Sequence, residues 1–146
     1  MSTIKPFRGY LPPSEIAGKV SSPPYDVLSS DEARKIAQNN PDSFLRIIKP
    51  EIDYPFDSNP HGNALHQRAA TNIQDFISSG KLQQDEHSCF YLYEITMGTH
   101  IQTGIMAAVS VAEYNEGLIK KHEFTRQDKE DDRSRHIEIT NANTGP

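Results

Sequence analysis

The sequence is poor in cysteine and in hydrophobic residues, and it has no tryptophan. It has one cysteine in 146 residues, and hydrophobic residues make up 35% of the chain. A lone cysteine cannot form an internal disulfide, which excludes a disulfide-stapled fold and favours a reducing compartment, here the cytoplasm. The apolar neighbours of Cys89, in CFYLYEI, predict a buried strand thiol, because a reactive thiolate needs cationic groups nearby.

Long apolar runs and an excess of positive charge are also lacking. No stretch approaches the roughly 18 apolar residues of a membrane helix, and the start, MSTIKPFRGY, has no apolar signal-peptide core. The formal net charge is −5 at pH 7. Because a negative chain is repelled by nucleic-acid phosphates, we do not expect DNA as a partner. Because long apolar runs are lacking, we do not expect a membrane as a partner either. No phosphate-binding loop, dinucleotide glycine motif, nucleophile elbow or paired-histidine metal motif occurs.

Three segments have the sequence pattern of a helix. Residues 31–40 follow two serines, which are good N-cap residues, and precede a proline. Residues 62–80 carry apolar side chains at helical spacing and end in Gly80, a good residue for the C′ position. The chain is helical again from about Gln127, where acidic residues in the first turns complement the helix dipole.

The remaining segments predict strands and an extended arm. Residues 1–28 are rich in proline and predict an extended arm, followed by an α+β body over residues 29–146. Residues 43–50 predict a strand, and residues 88–97 and 100–114 predict a hairpin that residues 118–124 continue. The order predicts an α+β fold with an antiparallel or mixed meander packed by two or three helices.

The stretch KKHEFTRQDKEDDRSRHIE, residues 120–138, holds most of the candidate chemistry. Its six cations and six anions balance. In a helix from Gln127, a single face carries Lys129, Asp132, Arg133 and His136, while Ile137 is expected to point inward. One interpretation is a solvated helix with weak surface ion pairs. The other is a phosphate site, in which Arg133 supplies a bidentate fork and Lys129 a point charge.

Two further features bear on that site. His122, Glu123, Thr125 and Arg126 lie at the predicted strand-to-helix junction, where Glu123 or Asp132 would act as a base or a metal ligand. Upstream, the Pro-Pro pair in SSPPYDV holds the backbone so that Tyr25 and Asp26 are presented to a ligand. The alternative for that segment is a structural turn, in which Asp26 bonds backbone amides.

Several long motifs resemble those of the domain-of-unknown-function 1015 family. They are KPFRGY, SPPYDV, KHEFTR, KEDDRSRH and the final NANTGP, and the resemblance covers essentially the whole chain. Members of this family are described as ParB-like (the SpoOJ/ParA/ParB/repB label). The ParB/sulfiredoxin superfamily that they resemble has a compact α+β domain that binds a nucleotide.

The resemblance implies a function as well as a fold. It implies a nucleotide (ATP, ADP or CTP) with Mg²⁺ as cofactor, and phosphotransfer to a small hydroxylated metabolite as the reaction. Glu123 would be the base or, with Asp132, a Mg²⁺ ligand, and His122 would orient it. The side chains expected to hold the nucleotide are Arg126, Lys129, Arg133, His136, Thr125, Tyr25 and Asp26.

The resemblance also leaves alternatives open. Family members carry a DGHHR motif further along, and this sequence lacks it. We therefore expect the chain to be the N-terminal part of a longer family domain, with the missing C-terminal part as a partner. A non-catalytic nucleotide-gated binding module, a DNA-partition-like protein and an inactive fragment remain as alternative interpretations.

Overall fold

The computed structural model describes residues 3–55, 62–120 and 126–144, and of Asp128 only the backbone. The chain forms two compact units. The hairpin unit comprises Met1–Leu11 and Gln84–Phe124, and the helical unit comprises Pro12–Gln83 and Thr125–Pro146. The prediction that the chain is one part of a longer domain, with residues 1–28 as an arm, stays a prediction.

Helices dominate one unit and short strands the other. The helices are α1 (Ala17–Val20), α2 (Ser30–Ala37), α3 (Leu45–Ile48), α4 (Asn63–Ser78), α5 (Val111–Asn115) and α6 (Gln127–Thr140), with two 3-10 helices at Tyr25–Val27 and Pro50–Asp53. The strands are β1 (Ile4–Lys5), β2 (Tyr10–Leu11), β3 (Gln83–Gln84), β4 (Tyr91–Met97), β5 (His100–Met106) and β6 (Ala108–Val109). No helix in the described part of the chain is long and apolar enough to cross a membrane.

The predicted start of α2 and the predicted end of α4 are confirmed, whereas α2 ends at Ala37, three residues before the predicted end. Ser29 caps α2 through a capping box: its hydroxyl accepts from the backbone N–H of Glu32 at 3.3 Å, and the Glu32 carboxylate accepts from the Ser29 N–H at 2.8 Å. Gly80 follows the C-cap of α4 with a φ of 75°, a conformation that glycine adopts without strain.

The strand predicted for residues 43–50 is wrong, because this segment forms α3 and enters the second 3-10 helix. A short apolar run fits either structure, and packing decides between them. Leu45 and Ile47 are both 0% exposed, and they enter two different clusters of the core. The first cluster contains Val20, Ile47, Ile73, Phe76 and Leu82. The second contains Ala33, Ala37 and Leu45.

In the hairpin unit, the predicted antiparallel hairpin is confirmed. β4 and β5 pair from Tyr91↔Met106 to Met97↔His100. The predicted strand 100–114 is too long, because Ser110 caps α5 by accepting from the Glu113 N–H at 3.3 Å. Residues 118–120 are not a strand, and residues 121–124 lie outside the described residues.

The fold class is α+β, as the sequence predicts. In the described residues the strands form two-stranded antiparallel sheets such as β1–β6 and β4–β5. The three longest helices are α2, α4 and α6, and the others have four or five residues. The burial predicted for Cys89 is wrong: its thiol is exposed.

Candidate functional site

The polar face of α6 borders a cavity of about 190 Å³ within the helical unit, called here the α6 cavity. All four residues that the sequence places on one helix face line it, namely Lys129, Asp132, Arg133 and His136. The ionisable and aromatic residues that other segments contribute are Tyr25, Lys49, Glu51 and His66. The helical spacing therefore predicts one wall of this cavity correctly.

Contacts with α4 fix how α6 is rotated about its axis. The Arg135 guanidinium donates from Nε and Nη2 to the Asn63 side-chain oxygen, both at 3.0 Å. With Arg135 held there, His136 is 4% exposed and Ile137 40% exposed. The expectation that Ile137 points inward is wrong, because the adjacent histidine occupies the buried position.

His136 is buried beside a second histidine. The rings of His66 and His136 meet edge to face with centroids 5.8 Å apart, and His66 Nε2 lies 3.6 Å from Asp132 Oδ1. The pKa of His136 is lowered from 6.5 to about 4, chiefly by burial, and further by the charges of Arg133 and His66, while Asp132 opposes the change. His136 is therefore neutral at neutral pH. Its Nε2 lies 3.3 Å from the Thr144 hydroxyl.

Arg133 is positioned by an aromatic ring. Its guanidinium carbon lies 4.9 Å from the centroid of the Tyr25 ring, within range of a cation–π contact. A cation–π contact uses no N–H donor in a hydrogen bond, so the guanidinium keeps its donors for an anion. Arg133 Nη2 makes a long polar contact, 3.5 Å, with Thr144 Oγ1. The Pro-Pro segment thus presents Tyr25 to Arg133.

The charges that line the α6 cavity nearly cancel. Lys49, Lys129 and Arg133 give three positive charges, and Glu51 and Asp132 give two negative ones, so these five residues sum to +1. Glu51 is already engaged, since its Oε1 lies 3.2 Å from Lys49 Nζ and accepts from the Ser30 hydroxyl at 2.8 Å. The Asp132 side chain is 65% exposed, so its carboxylate remains open to a ligand.

The other candidate residues are not all at this cavity. Asp26 is exposed and does not line it, and Arg126 is the exposed N-cap of α6. The two candidate catalytic residues, His122 and Glu123, and also Thr125, lie outside the described residues. Among the side chains that the structure describes, no three histidines, cysteines or acids gather to hold a metal ion.

Three ionisable lining residues are not among the residues predicted from the sequence: Lys49, Glu51 and His66. His66 had a detectable signal. It precedes Ala69, Ile73 and Phe76 at helical spacing on α4, and all four are buried. Lys49 and Glu51 had none, because the second 3-10 helix reaches the cavity only through long-range packing.

No curated protein and no solved structure matches this chain. A family profile described as "Protein of unknown function (DUF1015)" matches residues 4–146. The match covers the hairpin unit from residue 4, the whole helical unit and every candidate residue discussed above. The chain belongs to the DUF1015 family.

Proposed function

We propose that the α6 cavity binds the phosphate groups of a nucleotide together with Mg²⁺, and that the protein transfers phosphate to a small hydroxylated metabolite. The observation that carries the proposal is the wall made by Lys129, Asp132 and Arg133, with Tyr25 stacked on the arginine. Arg133 offers a planar fork and Lys129 a point charge, the two side chains best suited to phosphate oxygens.

The size of the cavity supports phosphate rather than a whole nucleotide as the enclosed group. Pockets that enclose drug-sized ligands have about 300–1,000 Å³. The α6 cavity has about 190 Å³. In the proposed complex the phosphates lie inside and the nucleoside lies against the outer surface, where it contributes less to specificity than the phosphates do.

The charge balance supports a metal-bound phosphate rather than a bare anion. A bare polyphosphate would be repelled by the exposed carboxylate of Asp132, which lies on the same helix face as Lys129 and Arg133. Mg²⁺ is usually held by one or two carboxylates and by substrate phosphates, with water completing its shell. Asp132 fits that role, and metal ligation by Glu123 is the alternative to its role as the base.

Neutral His136 fits a supporting part in this site. With a pKa of about 4 it adds no charge near pH 7, so it neither attracts phosphate nor repels the metal. A neutral imidazole between His66 and Thr144 instead keeps the inner end of the cavity polar and hydrogen-bonded. We propose His136 as a positioning residue for the α6 wall.

The transfer step rests on the resemblance to the ParB/sulfiredoxin superfamily, including its kinases. In the proposed reaction, Glu123 accepts the proton of the metabolite hydroxyl, the hydroxyl oxygen bonds to the terminal phosphorus, and the nucleoside diphosphate leaves. His122 would orient Glu123, and Thr125 and Arg126 would contact the phosphates. The cytoplasm is the proposed compartment, in keeping with the lone cysteine.

Calorimetric titration of ATP, ADP and CTP with Mg²⁺ into the full chain tests the binding. Lys129→Met should weaken binding by roughly tenfold or more, because a charge-assisted hydrogen bond is worth about 1.5–3 kcal/mol. Arg133→Ala should abolish it. Lys19→Met is the matched control, since Lys19 is also an exposed lysine of the helical unit and lines neither described cavity.

Three outcomes decide the proposal. Binding that is lost in the Lys129 and Arg133 variants but kept in the Lys19 variant supports it. No binding of any of the three nucleotides by the unaltered chain, or equal losses in all variants, overturns it. Binding without phosphate transfer to any hydroxylated metabolite would leave the non-catalytic binding module as the function.

A further inference from the structure

A second cavity lies within the helical unit, and its lining is cationic. It has about 310 Å³ and is lined by Arg34, Lys35, Ala37, Gln38, Arg46 and Ile52. Arg34, Lys35 and Ala37 come from α2, and Gln38 is the C-cap of that helix. Arg46 comes from α3 and Ile52 from the second 3-10 helix, which both pack beside α2. It is called here the basic cavity.

The basic cavity differs from the α6 cavity in its charge balance. Its lining has three positive charges, those of Arg34, Lys35 and Arg46, and no carboxylate. The counter-ion of Arg46 is Asp53, which also accepts from Arg68 Nε at 3.0 Å. One carboxylate is thus shared by two guanidinium groups. In a chain of net charge −5, this concentration of positive charge is unusual.

The two guanidinium groups are held in place before any ligand arrives. Arg34 donates to three backbone carbonyls, from Nη1 to Ile52 at 3.0 Å and Tyr54 at 2.6 Å, and from Nη2 to Glu51 at 2.7 Å. Carbonyl dipoles fix the side chain without cancelling its charge. Arg46 Nη2 donates to the Ala37 carbonyl at 3.0 Å. Fixed donors bind an anion with less loss of conformational freedom.

Hydrogen-bonding capacity remains at these groups. An arginine side chain has five N–H donors. With described partners, Arg34 makes three hydrogen bonds and Arg46 makes two, so each has donors left for a ligand. Lys35 is exposed and has no ion pair among the described residues. The nearby Glu32 carboxylate is bonded to Ser29, by the N–H at 2.8 Å and the hydroxyl at 2.6 Å.

We propose that the basic cavity is a binding site for a metal-free phosphate monoester. Arg34 and Arg46 would bind the phosphate oxygens, Lys35 would neutralise the second charge, and the Gln38 amide would donate a further hydrogen bond. Ala37 and Ile52 supply an apolar surface for the carbon part of the ester. The volume of about 310 Å³ is enough for a small organic phosphate, at the lower end of the range for ligand pockets.

This site is distinct from the proposed nucleotide site, although the second 3-10 helix borders both. Glu51 lines the α6 cavity and its neighbour Ile52 lines the basic cavity. The inference does not depend on nucleotide binding or on Mg²⁺, because no residue of the α6 wall takes part. Its failure would leave the proposed function untouched, and the reverse also holds.

The test is a titration of the full ¹⁵N-labelled chain with inorganic phosphate and with glycerol 3-phosphate, in EDTA and at constant ionic strength. The backbone amide signals of Ala37 and Gln38 should shift and saturate with either probe. Lys35→Met should weaken the apparent affinity by roughly tenfold. Lys19→Met and Lys129→Met should leave it unchanged, and chloride at the same ionic strength should produce no saturating shift.

The outcomes distinguish this site from its alternatives. Tighter binding of glycerol 3-phosphate than of inorganic phosphate supports the monoester, whereas equal or weaker binding overturns the part assigned to Ala37 and Ile52. Shifts confined to Lys129 and Arg133, or full affinity in the Lys35 variant, overturn the site. If citrate, a carboxylate probe, binds more tightly than both phosphates, the assigned ligand class is wrong.

Discussion

Replacing His136 with glutamine should flatten the dependence of stability on pH in mild acid. The pKa of His136 is lowered from 6.5 to about 4 in the folded chain, mainly because the ring is buried. The unfolded chain then binds a proton at this residue more readily than the folded chain does. Acid therefore favours unfolding, and the stability that depends on neutral His136 is lost as the pH falls from about 6.5 to about 4.

The size of the effect follows from the same two pKa values. Each tenfold change in proton affinity is worth about 1.4 kcal/mol, so the interval from 6.5 to about 4 sets an upper limit of about 3 kcal/mol. His136 lines a cavity that solvent can enter, and the charges of Arg133 and Asp132 that act on it are partly screened. We therefore expect a loss of about 1–2 kcal/mol.

Urea unfolding followed by far-ultraviolet circular dichroism measures this loss. The signal reports the unit that contains His136, because the longest helices, α2, α4 and α6, all belong to the helical unit. Carboxylates also titrate near pH 4, so the quantity of interest is the difference between the unaltered chain and His136→Gln across the window. His100→Gln, an exposed histidine of β5, is the control.

Two results would refute the reasoning. If His136→Gln and the unaltered chain lose the same stability between about pH 7 and about pH 4, neutral His136 contributes nothing to the fold. If the unaltered chain becomes more stable as the pH falls through this window, the sign is wrong and the histidine gains its proton on folding. A flattened profile in His100→Gln would show that the effect is not specific to the cavity.

Two further substitutions test the framework that holds both cavities. Asp53→Ala should destabilise the helical unit by about 3 kcal/mol in urea unfolding, because a 4% exposed carboxylate that binds Arg46, Arg68 and Asn72 would leave its partners unpaired. A loss under about 1 kcal/mol would contradict this network. Ser29→Ala should cost about 1 kcal/mol through loss of the α2 capping box, and an unchanged unfolding midpoint would show that the cap is dispensable.

The parts of the fold that could be predicted are those with local causes. The ends of α2 and α4 depend on Ser29 and Gly80, whose effects act within one turn of helix. The strand predicted at residues 43–50 was wrong because a short apolar run fits both the helical spacing and the strand spacing of buried side chains. Only the packing of Leu45 and Ile47 into two separate clusters selects the helix.

The candidate site follows the same division between local and long-range causes. Helical spacing placed Lys129 and Arg133 on one face, and that face borders a cavity. Lys49 and Glu51 could not be predicted to line it, because they reach the cavity only through long-range packing, whereas the helical spacing of His66 on α4 was an overlooked signal. The orientation of Ile137 was mispredicted because apolarity alone was used, whereas the buried position at this turn is taken by His136, which packs against His66 of α4.

The composition of α6 explains how a ligand at its face would act on the whole unit. Its buried residues include His136 and Thr140, both polar, and Ile137 is half-exposed, so little apolar burial holds this helix. The contacts that join it to α4 include a directional one, from the Arg135 guanidinium to the Asn63 side-chain oxygen at 3.0 Å. A helix held in this way opens at low cost. A ligand that bridges Lys129 and Arg133 to Tyr25 binds only folded α6, so it stabilises the helix by an amount that grows with the ratio of ligand concentration to Kd.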